Sequence, residues 1–359
     1  MASRERRFLA RAVALGADFF FGLAGDFRGM TGTAGRIAPS TTGLPFASSC
    51  FNDAGAARPF GPAAVTGVGM IHVGVAGWDY PDWNGIVYPA GAGRGFDRLA
   101  SLARFVDIVE INSTFYRPVA ARVAESWLRR TADRPGFCFA AKAHRSCSHE
   151  PDADPEQAVL RTLEGLRPLR DAGKLAALLL QFPQSFHFTE RAVEHLERLL
   201  ARLEGWPVVV EVRHASWASA DAEEWFGARG VGWCAVDQPQ VGRSTAGVLP
   251  RVTGPLAYLR LHGRNAADWF RAGAGRDARY DYLYSAEQLQ ELAAAAHRMS
   301  QAAESLIVVQ NNHFRGKALA NALQMKALLQ GERPLAPDGL VAAYPHLEEV
   351  VRTERTRLF

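Results

Sequence analysis

Residues 208–236 read VVVEVRHASWASADAEEWFGARGVGWCAV, and the fold is decided by what this stretch contains. It opens on a β-branched run at 208–212 and continues with helical periodicity over 221–229. It closes on a second apolar run at 232–236. A strand, a helix and a strand in so short a span make a βαβ unit, whose two strands lie parallel. Working outward, the same alternation recurs, with further strands expected at 71–76, 106–111, 137–141, 176–180, 257–261 and 306–309. Amphipathic helices fall at 96–105, 121–130, 155–172, 189–203, 286–303 and 317–330. Thr189 and Ser285 stand where N-caps belong, and Gln288 gives Ser285 the spacing of a capping box. Eight strands with helices between them predict an α/β fold, a TIM-type (β/α)8 barrel. An open doubly wound sheet is the alternative, because spacing does not prove closure. Residues 239–255 are rich in Gly and Pro and predict an irregular connection between strands six and seven.

Composition limits what such a chain can be. Its 359 residues, 48% hydrophobic and 22% charged, are ordinary globular material with apolar content for a sizeable core. Of the net charge of +4, residues 1–69 supply +3, from seven Arg against four acids. The remaining residues supply +1, from 34 basic against 33 acidic side chains. Bulk charge is therefore no argument that the body binds nucleic acid, although a local basic patch stays open. Cys50, Cys138, Cys147 and Cys234 form no C-x-x-C pair and no zinc spacing. Scattered cysteines of this kind point to a reducing compartment, so a cytoplasmic location is expected. No run approaches the roughly 20 apolar residues that cross a bilayer. Oligomeric state is not readable from these features.

Residues 1–69 differ in character from the rest of the chain. They are rich in Gly, Ala, Ser and Thr, lack sustained periodicity, and cannot bury enough apolar surface to offset their ordering entropy. They are expected to be a disordered extension, or a mis-called start ahead of a true one at Met70. Arg6-Arg7-Phe8-Leu9 is similar to a twin-arginine export signal, but Arg11, Asp18 and Asp26 interrupt the apolar region behind it. The barrel is then expected over 70–330, with 331–359 as a C-terminal tail.

In such barrels chemistry sits at the C-terminal ends of the strands, where the βα loops converge. Read in order, those ends carry Trp78, then Glu110, Asn112 and Tyr116, then Lys142 with His144 and His149 beyond it. Gln181 follows strand four, Glu211 and Arg213 strand five, and Asp237 strand six. Arg260, His262 and Arg264 close strand seven, and Gln310-Asn311-Asn312-His313 closes strand eight. Nearly every strand runs apolar until its last residue or two and then turns ionisable. Carboxylates and cations held in one partly dry cup have shifted pKa values, which is the usual preparation for acid/base work. Each residue also has a structural reading. Glu211 and Arg213 alternate to one side of their strand and can share a buried ion-pair network. Lys142 is a counter-ion or, if desolvated, a Schiff-base nucleophile. Trp78 and Tyr116 can stack on a ring or pack at the barrel mouth. Glu110, Glu211, Asp237 and His262 are donors of the kind a divalent metal takes, so a metal stays open. Against it, Lys142, Arg213 and Arg260 crowd the same rim, and no H-E-x-x-H motif occurs. No cofactor motif is present.

Several blocks occur together in a fixed order. Val73-Gly74-Val75-Ala76-Gly77-Trp78-Asp79-Tyr80, Trp83-Asn84-Gly85 and Tyr88-Pro89 come first. Val109-Glu110-Ile111-Asn112-Ser113-Thr114-Phe115-Tyr116, Phe139-Ala140-Ala141-Lys142 and Leu180-Gln181-Phe182-Pro183 come next. Glu211-Val212-Arg213-His214, Tyr258-Leu259-Arg260-Leu261-His262-Gly263-Arg264, Tyr280-Asp281-Tyr282 and Asn311-Asn312-His313 complete the set. From about residue 71 to 330 the chain resembles the domain of unknown function 72 (YecE-like) family. The resemblance implies a TIM-type barrel and no established activity. Two features depart from the family pattern: the leader before Met70, and the residue before His149, which is Ser148 where the family usually has threonine.

The leading functional expectation is an enzyme doing acid/base chemistry, hydrolysis or isomerisation, on a small anionic sugar- or nucleotide-like substrate. Glu110 or Glu211 would be the base, Lys142, Arg213 and Arg260 would hold the anion, and His262 or Asp237 would complete proton transfer. Trp78, Asn112, Tyr116, Gln181, Asn311 and Asn312 would contact the substrate. One alternative is a metal-dependent nuclease or phosphoesterase, with affinity falling steeply with salt. Another is a non-catalytic metabolite-binding barrel. Fold alone does not choose among them.

Overall fold

A computed structural model describes residues 69–150, 156–239, 251–269 and 276–354. Eight parallel strands succeed one another in order around a closed barrel. They are β1 (Met70–Ala76), β2 (Ile108–Ile111), β3 (Cys138–Lys142), β4 (Leu175–Gln181), β5 (Val208–Glu211), β6 (Gly232–Asp237), β7 (Leu256–Leu261) and β8 (Ser305–Gln310). Closure excludes the open sheet, because β8 pairs with β1 from Met70 opposite Ser305 to Val75 opposite Gln310. The strands read as near-continuous apolar runs because both of their faces are covered.

The outer layer consists of α1 (Arg98–Leu102), α2 (Ala121–Arg130), α3 (Glu156–Asp171), α4 (Glu190–Arg202), α5 (Ala220–Arg229), α6 (Ala286–Ala302) and α7 (Lys317–Gln330). Thr189 caps α4 by accepting from the Ala192 amide. Ser285 and Gln288 form the expected capping box on α6, each side chain serving the other's backbone. Between β6 and β7, residues 238–239 and 251–255 hold no helix, in keeping with the irregular unit expected there. The rest of that connection lies outside the described residues, as do residues 1–68 and the expectations placed on them. Among the described residues no helix is long and apolar enough to cross a membrane.

The stretch expected as a C-terminal tail folds back onto the barrel as far as residue 354. It contains a short helix, α8 (Asp338–Ala343), and an internal bridge between Leu335 and Arg352, and its Tyr344 hydroxyl donates to the Arg315 carbonyl at 2.8 Å. Leu340, Leu347 and Val351 are buried, so hydrophobic burial orders a segment that has no long helical pattern.

One cluster of buried side chains draws on all eight strands, including Ala76, Ile108, Ala140, Leu179, Val209, Val236, Tyr258 and Val309. Only the barrel interior brings eight strands into one contact, so these residues point inward. A strand repeats every two residues, which sets Glu110, Lys142, Gln181, Glu211 and Arg260 on the same inward side, one layer nearer the C-terminal mouth.

Gly74 shows how closely β1 and β2 approach. A Cβ at this position would lie 1.8 Å from the Ile108 carbonyl oxygen, a backbone atom that cannot swing away. Gly74→Ala is therefore expected to lower stability by about 1–3 kcal/mol or more, as overpacking does. Denaturant midpoints would measure it, and an unchanged midpoint would show that the strands can part.

Candidate functional site

The strand ends place five side chains of the inward face in one buried ion-pair and hydrogen-bond system. Arg260 bonds Glu110 Oε1 through Nη2 at 2.7 Å and Glu211 Oε2 through Nη1. Arg213 Nε donates to Glu211 Oε1 at 2.7 Å, and the Tyr258 hydroxyl donates to Glu110 Oε2 at 2.9 Å. All four carboxylate oxygens therefore have a donor. Glu110, Glu211, Arg260 and Tyr258 are fully or almost fully buried, whereas the Arg213 side chain keeps 21% of its surface. Burial by itself would raise the Glu211 carboxyl, but Arg260, with Arg213, His262 and Lys142, outweighs it and holds the group well below the usual carboxylate range. Burial opposes the charge on Arg260, yet Glu110 and Glu211 reverse the balance and keep it firmly protonated.

Lys142 ends β3 with only 9% of its surface exposed. Its Nζ donates to Gln181 Oε1 at 2.5 Å and lies 4.3 Å from the centre of the Phe115 ring. The Thr114 hydroxyl donates to the Lys142 carbonyl at 2.7 Å and pins the backbone there. Burial first, and then the neighbouring Arg260, pull the ammonium down to about 7, with Glu110 and Glu211 only partly offsetting them. His149 lies edge-on to Phe115 at 5.0 Å, and burial together with the charges of Lys142 and Arg213 lowers it to about 4.

His262 is buried and held well below its ordinary value, first by burial and then by Arg260. Its Nδ1 lies 2.8 Å from the amide nitrogen of Asn311. That nitrogen only donates, so Nδ1 accepts and the neutral ring carries its proton on Nε2.

Not every expected residue joins this group. Asp237 sits on the opposite parity of β6 and chelates Arg264, with Nε to Oδ1 at 3.0 Å and Nε to Oδ2 at 2.9 Å. Asn312 donates to the Tyr282 carbonyl at 2.8 Å and to Asn321 Oδ1 at 2.9 Å, which ties β8 to α7 on the shell side. Trp78 packs edge-on against Trp127 of α2 at 5.8 Å, and its carbonyl accepts from the Tyr88 hydroxyl. Tyr116 is 72% exposed and lies edge-on to Phe115, so it stands on the rim. Asn112 is half-buried at the end of β2 and makes no side-chain hydrogen bond among the described residues. Sequence reasoning misses Tyr258, because a tyrosine in an apolar strand reads as core. Its two-residue spacing from Arg260 is the available signal.

The donors considered for a metal are largely committed elsewhere. Glu110 and Glu211 present their oxygens to Arg260, and Asp237 presents its own to Arg264. Among the described residues no group of three or more His, Cys, Asp or Glu side chains is arranged to hold an ion.

Comparison with known proteins gives a consistent answer. The family model described as "Protein of unknown function DUF72" matches residues 72–342. The chain is 29% identical over 276 residues to UPF0759 protein YunF of Bacillus subtilis, covering 73% of this chain and 96% of that one. A crystal structure of a DUF72 family protein from Thermotoga maritima is 34% identical, with a TM-score of 0.64 over 73% of this chain and 99% of the other. A second, from Enterococcus faecalis, is 27% identical with a TM-score of 0.64, covering 73% of this chain and 96% of that one.

Proposed function

The chain belongs to the DUF72 family of proteins of unknown function, and from that premise we propose that it is an enzyme doing acid/base chemistry, hydrolysis or isomerisation, on a small anionic sugar- or nucleotide-like substrate. What supports the reading is the charge balance of the barrel interior. Two carboxylates face two guanidiniums and an ammonium. Arg260 is spent on Glu110 and Glu211, Arg213 gives its Nε to Glu211 but keeps 21% of its side-chain surface exposed, and Lys142 has no carboxylate partner among the described residues. A cup with surplus positive charge and little water attracts an anion strongly.

In this reading Glu110 and Glu211 are positioning residues. All four carboxylate oxygens already receive donors, and Glu211 is held well below the usual carboxylate range, so neither side chain is free to serve as the base. Lys142, poised near neutrality, moves the proton, and the neutral ring of His262 or His149 relays it. Arg213 takes the anionic group, and Phe115 and Tyr116 cover a ring or carbon chain. The buried free thiols of Cys138, Cys147 and Cys234 suit a reducing compartment, and we set the reaction in the cytoplasm.

A thermal-shift screen of sugar phosphates and nucleotides tests the reading. A ligand at a hundredfold excess over its Kd stabilises by about 2.7 kcal/mol, a rise in melting temperature of roughly 5–10 °C. Arg213→Gln should lose most of that rise. The reading fails if no anion shifts the midpoint, or if the variant responds as the native chain does. Turnover of the stabilising compound then separates an enzyme from a barrel that only binds.

A further inference from the structure

The chain has four lysines, Lys142, Lys174, Lys317 and Lys326, and they are placed very differently. Lys317 and Lys326 are ion-paired with Asp281 and Asp107, and Lys174 reaches the Pro135 carbonyl at the surface. Lys142 is buried on the inward face of the barrel, 9% exposed, and has no carboxylate partner among the described residues. Its hydrogen-bond acceptor there is the uncharged amide of Gln181, and its other neighbour is the Phe115 ring. The nearby carboxylates are already bound to arginines. The amine is thus held at the mouth-facing end of β3 by a partner that does not require it to be charged.

We propose that Lys142 is a nucleophile that forms an imine with a small aldehyde or ketone bearing an anionic group. The class of substrate rests on the reading above, in which Arg213 takes the anion. The amine lone pair attacks the carbonyl carbon, a C–N bond forms, and the carbonyl π pair becomes an alkoxide. The ammonium proton passes to that oxygen and gives a carbinolamine. A second proton, delivered from solvent through the His149 ring, lets the oxygen leave as water, and the nitrogen lone pair closes to a protonated imine. No oxidant or reductant is needed. His149 shares Phe115 with Lys142 and is neutral at pH 7, so its ring can carry the proton across. Burial, and after it the neighbouring Arg260, favours the neutral, attacking form of Lys142.

The test uses the full chain with glycolaldehyde phosphate and sodium cyanoborohydride at pH 7.5, followed by peptide mapping. The reduced adduct is expected on Lys142 at least about tenfold faster than on Lys174, since a lysine titrating near neutrality has far more free amine than an ordinary one. Adducts confined to Lys174, Lys317 and Lys326 would overturn the proposal. Parallel reactions with unphosphorylated glycolaldehyde, and with inorganic phosphate as competitor, separate it from the anion reading. If Lys142 reacts equally with both aldehydes and phosphate does not slow it, the imine stands and the anion-binding reading falls. If Lys142 stays unmodified while phosphate still raises the melting temperature through Arg213, the imine falls and the anion reading stands.

Discussion

Replacing Arg260 by Leu is expected to remove a large part of the protein's stability at neutral pH and to invert its dependence on pH. Among the described residues the guanidinium is the group that bonds both Glu110 and Glu211, and all three are buried. Removing one member of such a system leaves uncompensated charge in a dry interior, at about 3–5 kcal/mol. Against a usual net stability of about 5–15 kcal/mol, that is a severe loss. In the native chain the Glu211 carboxyl is held below its ordinary value near 4.5. Its ionised form therefore contributes stability above that pH, and the contribution is lost as pH falls through the folded value. In Arg260→Leu the opposite holds. Burial and the facing Glu110 would raise the folded value, so the penalty is present at neutral pH and relieved on acidification. Melting curves between pH 5 and 8 should rise toward acid in the variant. A variant as stable as the native chain at pH 7, or one that also weakens on acidification over this range, would contradict this account. Combining Arg260→Leu with Glu110→Gln and Glu211→Gln should recover part of the loss even if the single variant folds poorly.

Lys142→Met should do the reverse and stabilise the fold. The lysine titrates near 10.5 when exposed and near 7 in the barrel, chiefly because burial disfavours its charge. At 1.36 kcal/mol per pH unit, this places an upper bound of roughly 4–5 kcal/mol on what the buried charge takes from stability. The sign comes from proton counting. Between the two values the unfolded chain binds the proton and the folded chain does not, so native stability rises with pH there. The full penalty applies below about 7. Met keeps a flexible apolar stem against Phe115 but gives up the bond to Gln181, so the net gain is smaller than the bound. The variant is expected to melt several degrees higher at pH 6, with its advantage shrinking toward pH 10. Equal melting at pH 6, or an advantage that grows with pH, would show that Lys142 is not a strained buried cation. A stabilising substitution at a polar inward position also fits a residue kept for chemistry at the expense of the fold.

Much of this is legible from residue order. Runs such as those ending at Glu211 and Gln181 are apolar to the last residue because both faces of each strand are covered, and that regularity announces eight strands and their polar ends. Ser285 and Gln288 announce a helix start because a cap is a local arrangement of a few residues. The C-terminal stretch gives no such local sign. Its order comes from the burial of Leu340, Leu347 and Val351 and from bonds such as that of Tyr344 to the Arg315 carbonyl, which join segments far apart in the chain. Asp237 and Arg264 look like free rim charges in the sequence for a similar reason. Their position at strand ends is local, but their bond to each other is not.

The sequence by itself determined eight alternating βα units and which residues stand at their strand ends, because strand period, capping and turn chemistry act between near neighbours. Only the tertiary structure decided how those residues divide. Closure of the barrel brings Glu110, Glu211 and Arg260 together from β2, β5 and β7 into one buried ion-pair system. The same closure buries Lys142 beside an amide, while the nearby carboxylates are taken by arginines. Charge and proton affinity in a dry interior depend on distances between strands, and those distances exist only once the barrel has closed.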